Sequence, residues 1–395
     1  MPESILKKAG GFVKDSVLLL RPLRKKEKWD IGRLDTYLSP EEYRKVKGAL
    51  KQGKVKIELL KLGFSFLISG KDVLPRLVSE VEFFQKINNK IEKKYYDKLF
   101  EEFSPRAYDV LFHYLASDVM YLADLKRAAI LQLFTEFPLH VLIIGESDSG
   151  KSKILNSVRT LAPKSTYGIG SSISSSGLTL SVQGKNVKPG ILPRADQGVC
   201  CISELNLIKK NELSQLVSVM DKGYIKYDKG GASIKKDART KILATAETKK
   251  GDFKSYSLSQ IKKQIPFNSS FLSKFHLIFI TKKPSKNEFR IIADTIIDES
   301  VKKDISKDEI EFIKRYIDYS SGIRVKLPKK LAKQVDEFVV GLKDMEKKLP
   351  YNISSKTVEG IVSLIKASAR SEFRGEVENK DLERVFSIVR SALQI

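Results

Sequence analysis

Several apolar runs in the middle of the chain are too short for helices and show no alternation. They are His140-Val-Leu-Ile-Ile-Gly145, Gly198-Val-Cys-Cys-Ile202, Ile242-Leu-Ala-Thr-Ala246 and Leu277-Ile-Phe-Ile280. Runs of this length and composition read as strands covered on both faces. Stretches with apolar residues three and four apart lie between them, among them one over roughly 210–221. Strands alternating with helices predict an α/β fold: a parallel sheet flanked by helices. Tyr224 to Ile242 reads differently, as a hairpin with Lys229-Gly-Gly231 at its tip.

The flanks follow other periods. Ser39-Pro40-Glu41-Glu42 is a helix start, with a Ser cap, Pro at the first position and Glu as reciprocal cap, and that helix should stop at Gly53. Residues 54–69 alternate, with Phe64, Phe66 and Ile68 on one face, which predicts one or two strands. Helical spacing returns over about 73–103 and again over about 106–136. The last ~90 residues are helical throughout by the same criterion. Three domains are expected: a small N-terminal α+β or mostly helical module over 1–105, a core over 106–300, and a C-terminal helical domain over 301–395.

Composition narrows the function. Of 395 residues, 42% are hydrophobic and 30% charged, which is globular usage. Lysine and arginine exceed aspartate and glutamate by 72 to 48, a formal charge of +24 that makes a polyanion the first partner to consider. Arg21, Arg24, Lys25, Lys26 and Lys28 cluster around Trp29, where a nucleic-acid arm and a solvated loop are both open readings. The two cysteines, Cys200 and Cys201, are adjacent in an apolar run and read as buried strand residues in a reducing compartment. His113, His140 and His276 are scattered and no Cys-x-x-Cys occurs, so no zinc site is expected. No apolar run approaches a membrane span, and an intracellular, soluble protein is expected.

The chemistry starts where the first buried run ends. Gly145-Glu146-Ser147-Asp148-Ser149-Gly150-Lys151-Ser152 joins that strand to a helical pattern, the strand–loop–helix order of a phosphate-binding loop. Loop and helix N–H groups converge on phosphate oxygens, Lys151 reaches the β- and γ-phosphates, and the Ser152 hydroxyl ligates Mg²⁺. ATP and Mg²⁺ are the expected cofactors.

The order of elements and several stretches together resemble the AAA+ module of the MCM (minichromosome maintenance) replicative helicases over roughly 117–395. The stretches are Asp124-Leu-Lys-Arg-Ala-Ala-Ile-Leu-Gln-Leu-Phe134, Leu161-Ala-Pro163, Gly177-Leu-Thr-Leu-Ser-Val182, Gly198-Val-Cys-Cys-Ile202, Ala238-Arg-Thr-Lys-Ile-Leu-Ala244 and Phe271-Leu-Ser-Lys-Phe-His-Leu-Ile-Phe279. The resemblance implies that Gly145, Gly150, Lys151 and Ser152 are the Walker A residues. It implies that Glu204 is the Walker B glutamate polarising the attacking water. Lys229 falls on the tip of the pre-sensor hairpin facing a ring's central channel, and Lys185 and Lys188 fall on the second channel insert. Lysines there would grip DNA, single- or double-stranded, without reading sequence. Residues 221–265 hold twelve Lys/Arg against five Asp/Glu, in keeping with that role. A homo- or hetero-oligomeric ring is the implied assembly, with no membrane partner.

Four positions depart from the family pattern. Ser203 stands where the family has the Walker B aspartate, leaving at most a weak Mg²⁺ contact. Glu247 stands at the sensor-one asparagine, Lys274 at the arginine finger and Lys356 at the sensor-two arginine. Lysine keeps charge but not the bidentate fork. Glu247 could instead supply the carboxylate that Ser203 lacks. The N-terminal region is shorter than the family's DNA-binding collar and has none of its zinc cysteines. Two readings follow: an ATP-driven DNA motor with slow hydrolysis, or a hydrolysis-impaired subunit that binds ATP and DNA as a platform or partner. An AAA+ transcriptional activator or chelatase fits less of the wording.

Overall fold

The computed structural model describes residues 39–51, 55–60, 63–68, 78–117, 119, 121–183, 186–229, 232–253, 257–297 and 305–394. The basic cluster around Trp29 and Lys185 lie outside them. The chain divides into two compact units, 1–106 and 107–395.

In the first unit, helix α1 (Pro40–Lys51) is followed by an antiparallel hairpin, β1 (Val55–Leu60) with β2 (Gly63–Ile68). Helix α2 (Val78–Tyr114) does not break near residue 105 as the spacing suggested, although Pro105 lies inside it. Proline removes the N–H that would reach the carbonyl four residues back. Here that carbonyl, Glu101 O, accepts from the Ser104 hydroxyl at 3.0 Å instead. The helical text breaks later, between Tyr114 and α3 (Ala123–Leu133).

The second unit is built on a five-stranded sheet of order β11-β3-β10-β7-β4, parallel at every pairing. The strands are β3 (His140–Gly145), β4 (Ser165–Ile169), β7 (Val199–Ser203), β10 (Lys241–Glu247) and β11 (Leu277–Thr281). β3 and β7 are buried at every residue, which is why their sequence shows no alternation. β4 was not anticipated. It is one of the two outer strands, only partly buried, and its Ser-Thr-Tyr-Gly-Ile sequence carries no apolar run.

Helix α4 (Lys151–Leu161) leads out of β3 and packs its buried Ile154, Leu155 and Val158 against the sheet. Two short helices, α5 (Ser175–Leu178) and α6 (Ile191–Arg194), bracket a hairpin of β5 (Leu180–Gln183) and β6 (Asn186–Pro189). Helix α7 (Lys210–Lys222) ends on Gly223 and turns into the hairpin β8 (Tyr224–Lys229) with β9 (Ala232–Asp237). α8 (Leu258–Gln264), α9 (Ser269–Leu272) and α10 (Lys286–Ile297) flank the last strand.

Four C-terminal helices complete the unit: α11 (Lys307–Ser320), α12 (Lys329–Asp344), α13 (Ser355–Ser371) and α14 (Asn379–Leu393). α13 and α14 pack on α3, and α14 also packs on β11. Two buried cations fix this junction. Lys241 donates to Leu133 O at 2.8 Å and Arg370 donates to Phe134 O at 2.7 Å, so the carbonyl end of α3 is capped from β10 and from α13. Complete burial, with Arg370 nearby, pushes the Lys241 ammonium down to about 7.

Candidate functional site

The parallel sheet directs the carboxyl ends of β3, β10 and β7 to one edge, where α/β proteins hold ligands. Gly145 ends β3 so close to β11 that a Cβ there would lie 2.0 Å from Thr281 Oγ1, so the position must be glycine. Gly150 caps α4 with φ +79°, again a glycine conformation. Between them Glu146 is buried, and its carboxylate accepts from the backbone N–H of Phe253 and of Lys283, each at 2.7 Å. Ser149 shares a 2.9 Å hydroxyl contact with Thr281. The loop is therefore held by backbone and side-chain groups more than 100 residues away in sequence.

Lys151 is folded into the loop. Its ammonium donates to Gly145 O at 3.0 Å, to Glu146 O and to Ser149 Oγ at 3.2 Å. Burial lowers its pKa, while Glu247, Asp148 and Glu146 oppose that shift. An ammonium held by three neutral oxygens, at a helix N-terminus ringed by N–H groups, is a cradle for phosphate. Ser152 is exposed in the first turn of the same helix.

β7 delivers Ser203 and Glu204 to the same edge. The Ser203 hydroxyl contacts the Tyr167 hydroxyl on β4 at 2.8 Å. Glu204 is exposed and adopts φ 53°, ψ 42°, a left-handed conformation that a glutamate rarely takes without a reason. Ser171 Oγ donates to its carboxylate at 3.0 Å. β10 ends in Glu247, in register with Gly145. Its carboxylate accepts from Ser147 Oγ at 3.0 Å, and its backbone N–H donates to Asn206 Oδ1 at 2.9 Å.

Lys274 and Lys356 are elsewhere. Lys274 precedes β11 and pairs with Asp221 at 2.6 Å. Lys356, near the start of α13, lies 3.9 Å from Glu359 and lines a cavity of about 920 Å³ with His140 and His276. His140 begins β3 and Leu277 pairs with Val141, so both lysines sit by the amino ends of the strands. Five residue steps separate that edge from Gly145, roughly 16 Å at strand spacing. The two edges of one chain thus do not meet. In the second edge His140 N–H donates to His276 Nδ1 at 2.8 Å, and burial and then Lys356 hold the His276 imidazole down to about 4.

On the hairpins, Lys188 is exposed on β6, and Lys229 is the last residue of β8, its side chain outside the described residues. Thr281, Asn206, Tyr167 and Asp221 were missed from the sequence. Each is an ordinary residue type whose role comes only from a contact across the sheet.

Comparison with known proteins agrees with this geometry. The MCM P-loop domain matches residues 97–300 and the MCM AAA-lid domain matches 311–393. The chain belongs to the MCM family. Its α/β sheet is the MCM P-loop domain, and α11–α14 are the MCM lid. Among its relatives, the minichromosome maintenance protein MCM of Saccharolobus solfataricus is 25% identical over 345 residues, covering 80% of this chain and 50% of that protein. An uncharacterised MCM-type protein of Methanocaldococcus jannaschii is 28% identical over 72% of this chain and 44% of its own length. The DNA replication licensing factor MCM4 of Arabidopsis thaliana is 28% identical over 75% and 38%. The chain spans half or less of the length of these MCM relatives. Among the described residues no group of three or more His, Cys, Asp or Glu could hold a metal ion, and no helix is long and apolar enough to cross a membrane.

Proposed function

We propose that this chain is an ATP-binding, DNA-engaging motor subunit of MCM type that works in a ring and hydrolyses ATP slowly. The observation that carries it is the convergence of Lys151, Ser152 and the strained Glu204 on one sheet edge of an MCM family chain. In this reading the loop N–H groups and Lys151 bind the triphosphate, and Ser152 holds Mg²⁺, which supplies charge neutralisation when bound. Glu204, exposed at the end of β7 with its carboxylate accepting from Ser171, takes a proton from the attacking water. Lys188 and Lys229, on two hairpins outside the sheet, engage the phosphodiester backbone together with Lys185.

Lys274 and Lys356 serve the nucleotide of a neighbouring copy, because the far edge of their own sheet is out of reach. The relatives named as replication proteins support a role in DNA replication. The test is ATP turnover with and without single-stranded DNA, alongside size-exclusion with light scattering. Turnover above a Lys151→Ala control, by an oligomer, supports the motor; none above the control sinks it.

A second reading, a hydrolysis-impaired partner of an active subunit, is favoured by two contacts. Ser203 is engaged by Tyr167, and Lys274 is engaged by Asp221. On that reading Ser203→Asp with Lys274→Arg creates turnover absent from the wild type, and robust wild-type hydrolysis excludes it.

A further inference from the structure

We propose that Glu247, not the Walker B strand, supplies the carboxylate on the Mg²⁺ side of the nucleotide; the assignment rests on the nucleotide-binding reading above. The sheet order gives the reason. β10 lies between β3, which carries the phosphate loop, and β7, which ends at Ser203. A carboxylate at the end of β10 therefore reaches the space a carboxylate on β7 would otherwise serve.

Two contacts set it there. Ser147 Oγ donates to Glu247 Oε1 at 3.0 Å, so the carboxylate already lies against the phosphate loop. Asn206 Oδ1 accepts from Glu247 N–H at 2.9 Å, tying the end of β10 to the segment that carries Glu204. On the other side, Tyr167 of the outer strand β4 engages the Ser203 hydroxyl, a neutral group turned to β7's other neighbour. Of the carboxylates near Lys151, Glu247 acts on it most strongly.

The donor set suits the ion. Mg²⁺ in phosphate sites takes one or two carboxylates, a hydroxyl and the phosphates themselves, and keeps several waters. Glu247, the Ser152 hydroxyl and a triphosphate meet that description. Electrostatics then makes the sign of the effect diagnostic. Without a divalent cation Glu247 repels the triphosphate; with one between them it attracts.

The test measures binding of a fluorescent ATP analogue to the full chain in Mg²⁺ and in EDTA, with turnover left out. Wild type binds more tightly in Mg²⁺. Glu247→Gln, nearly the same shape at an exposed site, binds equally or more tightly in EDTA. It loses roughly 10-fold of the Mg²⁺ enhancement, the size expected for a group that orients a metal's shell. Adding Ser203→Asp to that variant restores the enhancement. Glu247→Gln with the full Mg²⁺ enhancement, or tightened equally in both conditions, overturns the assignment while leaving nucleotide binding intact. A wild type that binds under neither condition removes the nucleotide reading and this assignment together.

Discussion

The two edges of the central sheet carry opposite kinds of site. At the carboxyl edge, Lys151 and Ser152 open α4, Glu204 follows β7 and Glu247 ends β10, with Thr281 and Asn206 bracing the phosphate loop and β10. At the amino edge, Lys356 lines a cavity with two buried histidines held neutral, and Lys274 pairs with Asp221 of the same lining. In the proposed reading the first edge binds the triphosphate. The second offers cations that no phosphate of the same chain can reach. Each edge has what the other lacks, which is the arrangement expected when the completed site is shared between copies.

Breaking the first edge has the largest effect. Lys151→Ala removes the ammonium from the cradle and should weaken ATP binding by about 3 kcal/mol, roughly 100-fold, measured by fluorescent-nucleotide titration. Glu204→Gln should separate binding from chemistry: affinity stays within about twofold while single-turnover hydrolysis falls roughly 100-fold or more. Lys274→Ala sharpens the contrast between edges. Nucleotide affinity of the isolated chain should be unchanged, and turnover of the assembly should fall roughly 100-fold, less than for an arginine finger because lysine offers no fork. Mixing Lys274→Ala with Lys151→Ala chains should then recover part of the turnover, since each supplies the edge the other lost.

The remaining effect concerns stability at the amino edge. His276 is held down to about 4 in the folded chain, against an ordinary 6.5 in the unfolded chain. Below 6.5 the unfolded state binds a proton that the native state does not, so stability falls as pH drops from about 6.5 to about 4. The loss integrates to about 3 kcal/mol for this one group. Chemical denaturation across that window checks it, and His276→Asn should flatten the slope.

Much of this was legible beforehand because it is local. The four apolar runs became β3, β7, β10 and β11, since strands buried on both faces are apolar at most positions. The phosphate loop was readable because two glycines that set its backbone, a lysine and a serine all fall within eight residues. β4 was not readable, because an outer strand half in solvent needs no apolar run. The break expected near Pro105 was also misplaced, because the Ser104 hydroxyl satisfies the carbonyl that proline leaves unbonded.

By itself the sequence determined a phosphate loop in an MCM-type α/β sheet, and it named the four positions where that pattern is altered. Tertiary structure alone decided what the alterations mean together. Strand order put Glu247 between the phosphate loop and Ser203, and strand direction put Lys274 and Lys356 at the edge opposite Lys151. The physical reason is separation along the chain. Glu247 and Ser147 are 100 residues apart, and no local periodicity or turn chemistry records a contact made only when β10 pairs with β3.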